Sequence, residues 1–270
     1  MIIFKSINKL QEKVNFKANI GFVPTMGSLH KGHESLIKKS KKKCKKTLVS
    51  IFINPTQFNV KNDFSNYPRN IIKDIKILKK LNVDYLLIPK ESEIYKHKKY
   101  KKIAIPKKDK ILCAKYRPGH FEGVLAVINQ FLRNIRPKFI FLGEKDFQQA
   151  ILINKFIQNK FKTKIVLCKT IRMKNLVPYS SRNFLLSKND FKKAVFVSKL
   201  IKKFFILVKN DFSKKNNLNK IKKKINEEGI RLEYLEILNK KNLSNKITKK
   251  NYKIFISYYI KNVRMIDNLW

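Results

Sequence analysis

The stretch NIGFVPTMGSLHKGHESLI, residues 19–37, decides the fold. Residues 19–25 are a short apolar run of strand type, and the glycine-punctuated segment after them cannot continue a strand. HESLIKKSKKKCKK (33–46) then repeats apolar residues at helical spacing, and TLVSIFI (47–53) reads as a second buried strand. Strand, turn, helix and strand in close succession form a βαβ unit, which implies a parallel sheet. The turn concentrates His30 and His33 with Gly27 and Gly32, in a chain that has four histidines and seven glycines in all. Backbone N–H groups at a helix N-terminus attract anions, and two imidazoles beside them can donate to phosphate oxygens. Gly32 lets a phosphate approach the backbone without a Cβ in the way. A helix cap with incidental histidines is the plainer alternative.

The same alternation runs outward from this unit. IIKDIKILKKL (71–81) is expected as a helix and YLLIP (85–89) as a strand, followed by a lysine-rich, irregular excursion over residues 90–116. GVLAVINQFLRNI (123–135) is a helix, FIFLG (139–143) a strand, FQQAILINKFIQNK (147–160) a helix and KIVLC (164–168) a strand. The expected class is α/β, a parallel sheet with helices on both faces. Ligands in such folds bind at the carboxyl ends of the strands, and PTMGSLHKGH, NPTQF and GEKDFQQ all begin where a strand stops. Past residue 171 the pattern changes. Residues 190–208 and 218–229 read as helices, and RLEYLEIL (231–238) and YKIFISYYI (252–260) as half-buried strands. Two domains are expected, residues 1–170 and a smaller α+β domain over 171–270.

Lys and Arg outnumber Asp and Glu by 63 to 18, a net charge of +45, and an excess of that size ordinarily points to an anionic polymer as partner. Only eight of the 63 cations are arginines, whereas readers of nucleic acid favour arginine. The wealth of Lys, Asn, Ile and Phe is read instead as drift toward A/T-rich codons, with no specific nucleic-acid partner. No segment reaches the roughly 20 apolar residues of a membrane span. The N-terminal MIIFKSINKLQEK lacks the apolar core of a signal peptide, so a cytoplasmic location without membrane contact is expected. Cys44, Cys113 and Cys168 are far apart, without CxxC spacing, which suits a reducing compartment and argues against a zinc site.

Seven segments in order, PTMGSLHKGH, SIFINPTQF, YPRN, RPGHFEGV, FLGEKDFQQ, SSRNFLLS and RMIDN, resemble the motifs of the pantothenate synthetase (pantoate–β-alanine ligase) family. The resemblance covers residues 19–187 and returns at 264–268. It implies a Rossmann-like domain of the HxGH nucleotidyltransferase type, a C-terminal lid domain and a homodimer. It also implies the reaction. The carboxylate of pantoate attacks the α-phosphorus of ATP and releases pyrophosphate, and the amine of β-alanine then attacks the pantoyl adenylate and releases AMP.

By the same resemblance, His33 is the family's proton donor, where an imidazolium would steady the pentavalent phosphorus, and His30 shares that role. Lys145 and Arg182 complete the catalytic set. ATP would be met by Met26, Gly27, Ser28, Leu29, His30, Lys31, Gly32 and His33, by Gly143, Glu144, Lys145 and Asp146, by Ile171 and Tyr179 through the main chain, and by Ser180, Ser181 and Arg182. Gln57 and Gln149 would hold pantoate, with Gln57 also near β-alanine, and Asn54 and Pro55 would shape the turn around Gln57. Amides suit this task because they donate and accept without adding charge beside an acyl phosphate. Asp74 matches an acid that can contact magnesium arriving with ATP, although most ligands of that ion would be phosphate oxygens and water. Two segments depart from the family pattern. Asn175, Leu176, Pro178 and Tyr179 replace the usual acid, glycine and small apolar pair, and Cys113-Ala114 replaces Glu-Gly. The competing readings are another HxGH nucleotidyltransferase, which should lack the Gln57/Gln149 pair, a basic RNA-binding protein, and an inactive homologue.

Overall fold

The computed structural model describes residues 1–16, 18–95 and 103–269. The chain divides into two compact units, Met1–Lys169 and Thr170–Trp270.

The first unit runs β1 (Ile2–Phe4), α1 (Ile7–Lys13), β2 (Ile20–Thr25), α2 (Lys31–Lys43), β3 (Lys46–Ile51), α3 (Lys61–Ser65), α4 (Ile71–Lys80), β4 (Tyr85–Leu87), α5 (Glu91–Ile94), α6 (Cys113–Tyr116), α7 (His120–Ile135), β5 (Phe139–Gly143), α8 (Phe147–Ile157) and β6 (Lys164–Cys168). Six strands form one parallel sheet in the order β1-β4-β3-β2-β5-β6. From β2 the chain winds outward through β3 to β4, then returns to the other side of β2 for β5 and β6. The winding direction therefore reverses between β2 and β5, and in an open parallel sheet that reversal opens a crevice at the carboxyl ends of the two strands.

The apolar strand runs are buried on both faces, as a doubly covered sheet requires. On one face Val23 of β2 packs with Leu36 and Ile37 of α2 and Leu78 of α4. On the other, the neighbouring Phe22 meets Phe131 of α7, ring centroids 5.3 Å apart. The hydrophobic pattern that reads as a sheet between helices thus corresponds to two separate packing layers, one through each parity of β2.

The structure corrects several sequence expectations in this unit. The short edge strand β1 and helix α1 carry too few residues for a periodic signal. Helix α2 starts at Lys31 rather than 33, and α7 starts at His120 rather than 123. Helix α8 stops at Ile157, ahead of 160. The stretch expected to be irregular contains the short helices α5 and α6, and its residues 96–102 lie outside the described residues. The three cysteines are free and buried. Among the described residues no helix is long and apolar enough to cross a membrane.

The second unit holds α9 (Lys188–Asn210), α10 (Leu218–Glu227) and an antiparallel sheet of β7 (Arg231–Asn239), β8 (Tyr252–Ile260) and β9 (Val263–Leu269) in that order. Strand β9 lies outside the sequence expectation, because RMIDN breaks the apolar alternation. Strand β8 is central and mostly buried along its length rather than half-buried. Its Ile254, Ile256, Tyr258 and Ile260 form a core with Val197, Ile201 and Phe204 of α9 and Ile221 and Ile225 of α10.

Candidate active site

The crevice predicted by the strand order is lined by the histidine turn. Strand β2 ends at Thr25, whose Oγ1 donates to the Ser50 carbonyl (2.7 Å) and accepts the Gly27 N–H (3.2 Å). Gly27 and Ser28 both take positive φ, +78° and +50°, and swing the chain back across the sheet. Only glycine suits position 27, since a Cβ there would lie 3.0 Å from Asp74 Oδ2 and 3.1 Å from Ile51, in a conformation L side chains rarely adopt. The chain then enters α2 with His30 as its N-cap, and His30 Nδ1 accepts the Gly32 N–H at 3.1 Å. That bond requires a lone pair on Nδ1, so the ring proton of the neutral imidazole sits on Nε2.

The His30 and His33 rings stack 4.0 Å apart at 29°. Burial, the neighbouring ring and Lys145 hold His30 down at about 2. Burial and Lys145 hold His33 at about 4, with Asp146 pulling weakly the other way. Both rings are therefore neutral near pH 7, and the imidazolium expected at His33 is corrected to a neutral N–H donor. Lys145 and Asp146 reach the pair from the 3-10 turn Glu144–Asp146 that follows β5, with Lys145 Nζ 3.4 Å from Asp146 Oδ1. Glu144 is buried, and at Gly143 a Cβ would meet no protein atom within 4 Å.

Asp74, at the start of α4, is used differently from expectation. Its carboxylate is 2% exposed and accepts the Ser28 N–H on Oδ2 (2.8 Å) and the Leu29 N–H on Oδ1 (2.7 Å). The amides of Ser28 and Leu29, expected to face an anionic ligand, are thus committed to an internal carboxylate. Desolvation pushes the Asp74 carboxyl up, and the two N–H groups pull it back. Among the described residues no group of three or more His, Cys, Asp or Glu side chains could hold a metal ion.

Gln57 is carried by the 3-10 turn Pro55–Gln57 beyond β3. Its side-chain N–H group lies against the Met26 sulfur, and its Oε1 accepts from Asn54 Nδ2 at 3.3 Å. Asn54 also donates to the Gly123 carbonyl (3.0 Å), while its Oδ1 accepts from Thr56 N–H, from Thr56 Oγ1 and from Tyr95 Oη. The Gln57 carbonyl receives His120 Nδ1–H at 2.7 Å and Arg117 Nη2 at 3.3 Å, and Arg117 Nη1 sits 3.0 Å from His120 Nε2. A carbonyl can only accept, so His120 carries its proton on Nδ1 and offers Nε2 to the guanidinium. Helix α7 presses so closely on this turn that a Cβ on Gly123 would overlap the Thr56 carbonyl. Gln149 is half-buried on α8, whereas its neighbour Gln148 is buried and donates to the carbonyls of Asp109 and Ile111.

Sequence reasoning does not single out Tyr95, Arg117 or His120 as site residues. Arg117 and His120 lie in RPGHFEGV, but nothing in the sequence says that this segment clamps a turn some 60 residues upstream. The first unit therefore brings together His30, His33, Lys145 and Asp146, sets Gln57 against Met26 of the histidine turn, and commits Ser28, Leu29 and Asp74 to one another.

In the second unit, residues Ile171 to Tyr179 form a tight hairpin. Arg172 pairs with Pro178 in an antiparallel bridge, and Tyr179 N–H donates to the Ile171 carbonyl at 3.1 Å, so that main-chain donor is spent within the hairpin. The hairpin delivers Ser180, which caps the 3-10 turn Ser181–Leu185 by accepting the Arg182 N–H at 3.3 Å. Asn175-Leu176 still makes the turn, with Leu176 held at φ +73°. Arg172 binds Asp267 of β9 in a two-pronged pair (2.7 and 2.8 Å) and also donates to the carbonyls of Leu176 and Asn268. Arg264 pairs with Glu233 of β7, Nε to Oε2 at 3.1 Å. RMIDN is thus a structural segment that braces the sheet and the hairpin.

The family described as Pantoate-beta-alanine ligase matches residues 2–270. The chain is 41% identical to a pantothenate synthetase of Francisella tularensis subsp. novicida, over 98% of this chain and 94% of the relative, and 41% identical to that of Francisella philomiragia, over 99% and 97%. Among solved structures it is similar to the pantoate-beta-alanine ligase of Francisella tularensis complexed with beta-gamma ATP and beta-alanine (39% identity, TM-score 0.87, covering 100% of this chain and 97% of that one). It is similar also to the pantothenate synthetase of Thermus thermophilus (26% identity, TM-score 0.90, 100% and 99%).

Proposed function

This chain belongs to the pantoate–β-alanine ligase family, and from that premise we propose how its own residues carry out the ATP-dependent ligation. ATP is held at the β2/β5 crevice. His30 and His33 donate neutral N–H groups to its phosphate oxygens, and Lys145 supplies the fixed positive charge. Gly143 leaves open space in which the ribose can approach the main chain, and Asp146 accepts from it. Ser180, Ser181 and Arg182 are the second unit's phosphate-contacting set. Gln57 and Gln149 orient pantoate, and Gln57 also lies near the amine.

Pantoate's carboxylate oxygen forms a bond to the α-phosphorus while the bond from that phosphorus to the bridging oxygen of pyrophosphate breaks. The unprotonated amine of β-alanine then forms a C–N bond with the acyl carbon, the C–O bond to AMP breaks, and the amine proton goes to solvent. No side chain forms a covalent bond. Alignment of two anions and stabilisation of spreading phosphate charge carry the reaction, and each well-placed donor is worth about 3 kcal/mol at the transition state. Neutral imidazoles suit this task because they hold no acidic proton that the attacking amine could take up. Magnesium enters as part of the ATP substrate, held by phosphate oxygens and water.

The observation that carries this reading is the stacked, neutral histidine pair facing Lys145 and Asp146, with Gln57 against Met26 of the same turn. A homodimer in the cytoplasm is the form proposed for the active enzyme. The test incubates the protein with ATP, magnesium, pantoate and β-alanine and follows AMP, omitting each acid in turn. AMP should appear only when both acids are present. AMP release that ignores pantoate would favour another HxGH nucleotidyltransferase.

A further inference from the structure

We propose that Asp74 is the positioning residue of the histidine turn, acting as an internal anion that shapes it, and not a magnesium ligand. The inference builds on the assignment of His30 and His33 to the triphosphate. Two successive left-handed residues, Gly27 and Ser28, turn the N–H groups of Ser28 and Leu29 toward one point. Such a concave pair of amides is an anion site, and in this chain the anion is built in. One carboxylate oxygen is given to each amide, at 2.8 and 2.7 Å, and the group is almost wholly buried. A Cβ at position 27 would lie 3.0 Å from Oδ2, so the glycine leaves the room that the carboxylate occupies.

The consequence is mechanical. Ser28 has a left-handed φ that a serine adopts at a cost, and Asp74 offsets that cost from α4, a separate element. His30 follows two residues later, with its Nδ1 bound to Gly32 N–H, so the anchored turn sets the height and tautomer of the first imidazole and, through ring stacking, the second. Each carboxylate oxygen already accepts an N–H, and the group is 2% exposed, so little of either oxygen is open to an ion. A magnesium ion, which dehydrates reluctantly and keeps several waters in a near-octahedral shell, does not suit so enclosed an anion.

Two variants separate the readings. Asp74→Asn keeps the size but can accept through only one oxygen, so an NH2 group meets one backbone N–H. Asp74→Glu keeps the charge but displaces it by one methylene, and a glutamate remains a competent magnesium ligand. In metal-free, nucleotide-free protein labelled with ¹⁵N-histidine, both variants should lose the single Nε2–H tautomer of His30 seen in the wild type. With ATP, pantoate and β-alanine, kcat should fall about 100-fold in both, as expected for misplaced donors, with the half-saturating magnesium concentration unchanged. The NMR measurement needs no substrate, so it stands or falls separately from the assigned reaction. Wild-type histidine signals in both metal-free variants, or activity restored by raising magnesium, would overturn the proposal.

Discussion

Arg172 and Asp267, 95 residues apart, form a two-pronged ion pair at 2.7 and 2.8 Å that ties the hairpin leading to Ser180 onto the last strand. Asp267 is almost fully buried, so removing one partner strands the other charge. Arg172→Met should therefore destabilise the protein by about 3 kcal/mol, measured by urea unfolding. Arg172→Met combined with Asp267→Leu should recover much of that loss, because the desolvation penalty of both charges disappears with them. Additive losses in the double variant would show that the pair is not a coupled unit.

Leu176 sits at φ +73° in that hairpin, where an L side chain is strained by about 1–2 kcal/mol. Glycine relieves the strain but adds freedom to the unfolded chain, which returns part of the gain. Leu176→Gly should raise stability by about 0.5–1 kcal/mol, seen as a small increase in melting temperature. A drop in melting temperature would mean that packing of the leucine outweighs its backbone strain.

The depressed histidines make stability depend on pH in a defined window. In the unfolded chain histidine titrates near 6.5, whereas His33 in the folded protein does so at about 4. Between those values the unfolded state binds a proton that the folded state refuses, so stability is full above pH 6.5 and is lost as pH falls toward 4. For His33 alone the loss amounts to about 3 kcal/mol. Urea midpoints measured from pH 4 to 8 should fall on the acid side, and His33→Gln should flatten that slope.

Gly123 lies under the Gln57 turn, where a Cβ would overlap the Thr56 carbonyl. Gly123→Ala should push the turn and raise the KM for pantoate about tenfold or more, with the KM for ATP little changed, because His30, His33 and Lys145 belong to other elements. Equal rises in both constants would place Gln57 and the triphosphate site in one mechanical unit.

The sheet was legible because β2, β3 and β5 are buried on both faces and read as unbroken apolar runs, and because each ends in a polar turn. Their spatial order was not, since nothing within a strand announces which strand it pairs with. His30, His33, Lys145 and Gln57 could be named from spacing and resemblance, and they follow the carboxyl ends of β2, β5 and β3. The protonation state of the histidines was hidden, because it depends on burial and on a lysine 112 residues away from His33 in sequence. The same holds for Asp74, whose partners lie 45 and 46 residues upstream, and for His120, which acts on a carbonyl 63 residues away. Contacts between distant segments leave no periodic trace for a reader of sequence to find.

The central claim is that a neutral histidine pair grips the triphosphate while pantoate is adenylated. A rapid-quench single turnover of ATP and pantoate, with β-alanine withheld, tests it most directly. One pyrophosphate and one enzyme-bound pantoyl adenylate should form per site, and His33→Ala, with an unchanged circular dichroism spectrum, should slow that step about 100-fold. Pyrophosphate that appears only after β-alanine is added, or a His33→Ala variant that forms the adenylate at the wild-type rate, would contradict it.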